Sequence, residues 1–278
     1  MIGGNSDRSD GFVQSLERGL RVVQAFGEGH ARMTLSEVAE RTELSRATAR
    51  RFLLTLVELG FVHSDGQHFT LGPKVLDLGY SYLSGFGLPS LALPIMENAV
   101  SQVHESCSLT VLDGAEVVYV ARVPVRRIMS VQIDVGTRFP AFATSMGRVF
   151  LSDLSVEERA TLLESAPRLR FTPYTVTEIS ELNKALDSVA ARDYALACEE
   201  LELGLLSIAV PVRNRATGRV VAALNMSTHA GQRDETFMRE IALPVLRDAA
   251  DQIEQAIRSS GIGVTDARVN VTQPELNR

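Results

Sequence analysis

The sequence is poor in what covalently or metal-held folds require. It has two cysteines, Cys107 and Cys198, among 278 residues. Two thiols so far apart exclude a disulfide framework and a multi-cysteine zinc site, and they suit a reducing cytoplasm. No apolar run approaches the ~18 residues that cross a bilayer, so no membrane contact is expected. Met1 to Asp10 lacks the apolar stretch of a secretory signal, which again predicts a cytoplasmic protein. There is no G-x-S-x-G, no P-loop and no G-x-G-x-x-G, so neither an enzyme nor a cofactor is expected. The net charge is −6, so the chain is not generally attractive to nucleic acid and any DNA-binding surface must be local. What remains is 45% hydrophobic and 22% charged residues over a length that suits two domains with real cores.

The organisation follows from where composition shifts. Residues 1–11 and 261–278 are expected to be a disordered leader and a flexible tail, with a first domain at 12–73, a linker helix at 74–88 and a second domain at 89–260. Gly72, Pro73, Gly79, Gly85, Gly87, Pro89 and Pro94 cluster at the junction. Lys74 to Leu83 keeps helical spacing through Val75, Leu78 and Tyr82, and a break is expected at Gly85–Pro89.

In the first domain, Leu16, Leu20, Val23 and Phe26 give Ser15–Phe26 the rhythm of an amphipathic helix. Thr34-Leu35-Ser36-Glu37 is a capping box opening a second helix. Thr42-Glu43-Leu44 makes a tight turn, with Leu44 directed to the core. Ser45 is the expected N-cap of a third helix, in which Phe52, Leu53, Leu56 and Leu59 fall at core spacing. Its other face carries Arg46, Thr48, Arg50 and Arg51, with Ala47 and Ala49 small enough for close approach. Gly60 ends it, and two β-prone runs then flank Ser64-Asp65-Gly66-Gln67, a hairpin signal. This order is that of a winged helix-turn-helix. Residues 1–73 hold eight arginines, no lysine and nine acidic residues, yet three of the arginines fall within six positions of the third helix. Ser45, Arg46, Ala47, Thr48, Arg50 and Arg51 are therefore the expected contacts to double-stranded DNA, because the first turns of such a helix enter the major groove. The competing readings are a merely solvated basic face or a winged helix that binds only protein.

The second domain reads as antiparallel sheet with helices packed on it, making the whole an α+β protein. Ser108–Val123 is a hairpin around Asp113-Gly114, and Ile128–Val135 alternates as a strand. Phe142–Ser152 and Leu182–Ala191 are helical, Gly204–Val212 and Arg219–Ser227 are long apolar strands, and Thr236–Ile257 is a long helix with Phe237, Ile241, Val245, Ala249 and Ile253 on one face. His104 and Cys107 have the spacing of two helical metal ligands, but further ligands are lacking; no metal is expected, and the pair reads as a satisfied histidine beside a buried thiol. Glu199 and Glu200 have no partner motif. A binding pocket is better supported. Ser145 and Met146 stand where a helix begins and its amides attract anions. Ser207, Asn225 and Ser227 are polar within apolar strands, and either the sheet or a ligand must satisfy them.

The blocks SLERGLRVVQAF, TLSEVAERTELSRATARRFLLTLVELGFV, GTRFPAFATSMGRVFLS and ARDYALACEELELGLLSIAVPVRN followed by GRVVAALNMS resemble the IclR family of bacterial transcription regulators, from about Ser15 to Ser259. The ESCS and LLSIAVPV stretches resemble the subgroup that controls breakdown of aromatic acids through protocatechuate and β-ketoadipate. The resemblance implies a GAF-like second domain around a six-stranded antiparallel sheet. It implies a homodimer or homotetramer on a palindromic operator and a small organic acid as effector. The acid's carboxylate would meet the amides of Ser145 and Met146, with polar contacts at Ser207, Asn225 and Ser227. The family's acidic contact is replaced by Ala197-Cys198-Glu199-Glu200, so Cys198 or Glu199 takes its place in the expected site. Leu206 stands where an arginine is common.

Overall fold

The computed structural model describes residues 11–27, 29–125 and 133–260. The expected leader and tail, apart from Gly11, and residues 128–132 of the expected strand lie outside them. Val135 and Gly136, which follow, form a turn. The chain divides into two compact units after Ser84.

The first unit comprises α1 (Gln14–Gln24), β1 (Arg32–Thr34), α2 (Leu35–Arg41), α3 (Arg46–Glu58), β2 (Val62–Ser64) and β3 (His68–Leu71), with α4 (Val75–Phe86) at its end. Its core is Val22, Phe26, Met33, Val38, Leu53, Val62 and Phe69. The capping box forms as expected: the Glu37 amide donates to Thr34 Oγ1 at 3.4 Å, and the Thr34 amide donates to Glu37 Oε2 at 2.7 Å. The buried Thr42 hydroxyl donates to the Val38 carbonyl, fixing the turn, and Leu44 packs against the core. The expected faces need correction. Leu16 and Leu20 are exposed, at 63% and 46%, while Val22 is fully buried. Only the first half of the expected stripe, Leu16 and Leu20, points outward; Val23 is half-buried, and Phe26 joins Val22 in the core. Leu59 is likewise exposed, and Ala49, read as a surface residue, is completely buried. The expected break is a single residue. Gly87, at φ +62°, separates α4 from α5 (Leu88–Val103), and Pro94 lies inside α5 rather than in a linker.

The second unit is built on a six-stranded antiparallel sheet. Its strands are β4 (Ser106–Asp113), β5 (Glu116–Val123), β6 (Arg138–Pro140), β7 (Ala195–Cys198), β8 (Leu205–Arg213) and β9 (Val220–His229), in the order β6-β5-β4-β9-β8-β7. A 3₁₀ turn (Ala141–Ala143) leads into α6 (Ser145–Asp153), followed by α7 (Val156–Ser165) and α8 (Ile179–Arg192). α6 and α8 bury Met146, Val149, Phe150, Leu182 and Leu186 with Ala209 and Ala223 of the sheet. Alternation puts Ile208 and Met226, both fully buried, on the opposite face. The long final helix is not continuous. A short α9 (Glu235–Phe237) passes through a π turn (Met238–Ala242) into α10 (Leu243–Ser260). The wide turn shifts the inward face, so Met238, Ala242, Leu246, Ala249, Ile253 and Ile257 are buried while Ile241 is 51% exposed. The expected stripe is therefore right only from Ala249 onward.

The start of α6 is set by one close approach. A Cβ on Gly147 would sit 2.0 Å from the Ala141 carbonyl oxygen, which belongs to backbone and has no flexible end to move. Gly147→Ala should lower stability by at least about 2 kcal/mol in urea denaturation, since overpacking against backbone displaces the turn.

Candidate functional site

The third helix begins as a cap dictates. Ser45 Oγ accepts the Thr48 amide at 3.2 Å and donates to Thr48 Oγ1 at 2.9 Å, so both side chains hold the helix entry. Arg46, Arg50 and Arg51 are exposed, as is Ala47. Arg46 and Arg50 lie one turn apart on one face, as do Ala47 and Arg51. Among the described residues none of these arginines has a carboxylate partner, although Arg21 pairs with Glu17 and Arg32 with Asp65. Three unpaired guanidinium groups on the first turns of an exposed helix can meet phosphates or base edges.

The wing holds a strand the sequence did not reveal. β1 pairs with β3, giving a three-stranded sheet ordered β1-β3-β2. Arg32 of β1 reaches Asp65 Oδ2 at 2.7 Å across the wing tip. Asp65 Oδ1 also accepts the amides of Gln67 and His68. These bonds, the His68 amide foremost, hold its carboxyl well below the usual range. Gly66, at φ +94°, completes the turn.

In the second unit a cavity of about 450 Å³ lies between the sheet and the start of α6. Its polar floor comes from strand register. Arg122 stands opposite Ser108, and Ser108 opposite Asn225; beside this row, Ser106, Ser227 and Ser207 face one another on consecutive strands. Val125, Ile133, Phe139, Phe171, Leu201 and Leu203 supply apolar surface. Ser145, Met146, Ser207, Asn225 and Ser227 all line the cavity, so five of the expected site residues come together.

These groups are ordered by a short hydrogen-bond chain. Asn225 Nδ2 donates to Ser207 Oγ at 2.9 Å, and Ser207 Oγ bonds Ser145 Oγ at 2.7 Å. In this arrangement Asn225 Oδ1, buried, has no donor among the described residues. Thr144 caps α6, its hydroxyl accepting the Gly147 amide. The amides of Ser145 and Met146, at the first two helical positions, have no acceptor within the helix.

Two residues that the sequence pattern did not single out complete the wall. Arg122 Nη1 donates to Ser108 Oγ at 3.1 Å, and no carboxylate of the described residues lies within ion-pair distance. Burial lowers its pKa, so the site holds a cation at some cost. Burial pushes the Tyr119 hydroxyl up to about 12, keeping it a proton donor. Strict alternation places positions 119 and 122 on opposite faces. The register shift beside Leu109 and Thr110 leaves Val120 unpaired and puts both residues on the cavity.

Two expected contacts are not in the cavity wall. Burial, with a hydrogen bond to Glu235, pushes the Cys198 thiol up to about 12. Glu199, at φ +57°, accepts the Gly204 amide and closes the turn between β7 and β8. Glu200 lines the cavity instead, but its carboxylate pairs with buried Arg148 at 2.5 Å and accepts the Val176 amide. Leu206 is buried on the opposite face from Leu205 and Ser207, so the family's arginine position does not face this cavity. His104 ends α5 in a left-handed conformation and Cys107 is buried in β4, so the two do not share a helix. Among the described residues no cluster of metal-binding side chains occurs, and no helix is long and apolar enough to cross a membrane.

Comparison with known proteins agrees with this two-part architecture. The IclR helix-turn-helix domain matches residues 15–66, and the C-terminal domain of the bacterial transcriptional regulator IclR matches residues 80–255. The chain is 40% identical over 240 residues to the Pca regulon regulatory protein of Pseudomonas putida, covering 86% of this chain and 82% of that protein. It is 38% identical over 255 residues to the p-hydroxybenzoate hydroxylase transcriptional activator of Acinetobacter baylyi, covering 90% and 94%. An IclR homologue from Microbacterium hydrocarbonoxydans, solved as a complex with 4-hydroxybenzoate, superposes with a TM-score of 0.78 at 29% identity, covering 88% of this chain and all of that one. The chain belongs to the IclR family: it is a DNA-binding transcription regulator with a ligand-binding C-terminal domain.

Proposed function

We infer that the chain senses an aromatic or dicarboxylic acid in the C-terminal cavity and alters transcription through DNA contacts made by α3. The observation that carries this reading is Arg122, a partly buried guanidinium without a carboxylate partner among the described residues, in a cavity that also presents the amides of Ser145 and Met146. All are donors, and a carboxylate satisfies them. The apolar wall, with Phe139 and Phe171, favours an aromatic body, as do the relatives named for aromatic-acid regulation. At the DNA, Ser45 sets the helix entry, and Arg46, Ala47, Thr48, Arg50 and Arg51 form the contacting face.

The protein acts as a homodimer, or as a homotetramer of such pairs. Val13, Leu16 and Leu20 of the α1 region and Leu76, Leu78 and Tyr80 of α4 are exposed, a surface suited to a second copy. A two-fold pair of α3 helices reads a palindromic operator. The protein is cytoplasmic and has neither catalytic activity nor a cofactor. The acid switches the regulator only if it favours one placement of the paired winged helices over another.

Calorimetry with 4-hydroxybenzoate, benzoate and adipate tests the effector reading. Asn225→Leu removes the amide that bonds Ser207 and, through it, Ser145 at the start of α6. It should weaken 4-hydroxybenzoate and benzoate alike, by about tenfold, a magnitude typical of losing one buried hydrogen bond. Unchanged binding of both acids by the folded variant would place the ligand elsewhere.

A further inference from the structure

A second cavity of about 210 Å³ adjoins the first. Phe142, Leu151, Leu162, Leu163 and Ala166 form much of it, and Pro140 and Phe171 line both cavities. Phe171 is the movable part of this partition. It stacks on Phe142 with ring centroids 6.3 Å apart and planes inclined by 27°, yet it is 41% exposed. A half-exposed ring exchanges rotamers readily, unlike the buried Phe142. The charged groups of the second cavity are already engaged. Glu116 accepts from Arg138 Nε at 2.7 Å, and Arg168 donates to the carbonyl oxygens of Leu163 and Thr177. Arg168 keeps its charge while Nε and Nη1 donate to those carbonyls, but apart from it and the paired Glu116 the lining is alanine, proline, leucine and phenylalanine, so most of the cavity suits an uncharged group. An apolar hollow also leaves its lining short of dispersion attraction that such a group restores.

We propose that this second cavity is a subsite for the apolar end of a larger aromatic acid, and that Phe171 decides which acids reach it. This rests on the effector reading above. The carboxylate end stays at Arg122, while a second ring displaces Phe171 and packs on Phe142. The protein therefore has two size classes of ligand: single-ring acids that leave the partition closed, and two-ring acids that open it.

Calorimetry on the full chain with 4-hydroxybenzoate and biphenyl-4-carboxylate tests this. Ala166→Phe fills the second cavity from its partly exposed side, and Phe171→Ala removes the partition. Ala166→Phe should weaken biphenyl-4-carboxylate at least about tenfold, the loss expected when a pocket refuses an apolar group. It should leave 4-hydroxybenzoate within about twofold, which also reports that the variant is folded. Phe171→Ala should strengthen biphenyl-4-carboxylate several-fold. The subsite is overturned if 4-hydroxybenzoate binds but biphenyl-4-carboxylate binds neither the unaltered chain nor Phe171→Ala. It is also overturned if the two acids respond in parallel to both variants. Failure of both acids to bind the unaltered chain would instead remove the effector reading, and the subsite with it.

Discussion

Arg122→Leu should abolish most of the effector affinity, weakening an aromatic acid by about 100-fold or more. Truncating one partner of a hydrogen-bonded charge pair costs ~2–5 kcal/mol, because the carboxylate is left without a counter-charge in a largely apolar cavity. The variant should still fold without ligand, since the side chain's hydrogen bond goes to the Ser108 hydroxyl, which can turn to another partner. Arg122→Lys should recover only part of the affinity: an ammonium keeps the charge but not the two-pronged grip. Calorimetry with thermal melts of the ligand-free proteins separates these outcomes. An Arg122→Leu protein that binds the acid normally would assign the carboxylate to the Ser145 and Met146 amides alone.

The second large effect belongs to α3. The double variant Arg46→Ala, Arg51→Ala should bind operator DNA far more weakly and with a shallower salt dependence. Each phosphate that a guanidinium neutralises adds about 0.9 to the slope of log affinity against log salt, so the proposed dimer without these four arginines should have a slope shallower by about three to four units. Both side chains are exposed and neither is in an ion pair among the described residues, so helicity and stability should hardly change. If the slope falls but discrimination among sequences survives, these arginines touch phosphates. If discrimination falls as well, at least one reads a base edge. Unchanged binding would mean that α3 is not the recognition helix.

Local chemistry was the most legible part of the sequence. The capping box at Thr34, the cap at Ser45 and the hairpins at Asp65-Gly66 and Asp113-Gly114 depend on residues within a few positions of one another, and all appear. What depends on the third dimension was less legible. The outward stripe of Leu16 and Leu20 has the same spacing as a core stripe, because an exposed apolar face and a buried one share a periodicity. The π turn at Met238–Ala242 adds a residue to one helical turn, so a regular period ran off the buried face at Ile241. β1 is three residues long, too short to show alternation. In the cavity, residues at element starts and in polar pairs were found, whereas Arg122 and Tyr119 were hidden by one bulged residue. Cys198 and Glu199 were assigned by position in a family pattern, and the turn at Glu199 directs them to structural bonds instead.

The central claim is that occupancy of the C-terminal cavity changes DNA binding by α3, and linkage tests it most directly. Anisotropy titrations of a labelled operator should be run at fixed salt with the unaltered chain and Arg122→Leu, each with and without saturating aromatic acid. The expected result is a change in DNA affinity of about fivefold or more for the unaltered chain, in either direction, and none for Arg122→Leu. Calorimetry with and without operator should return the same factor in acid affinity. An acid that binds in the cavity while operator affinity stays the same would contradict the account.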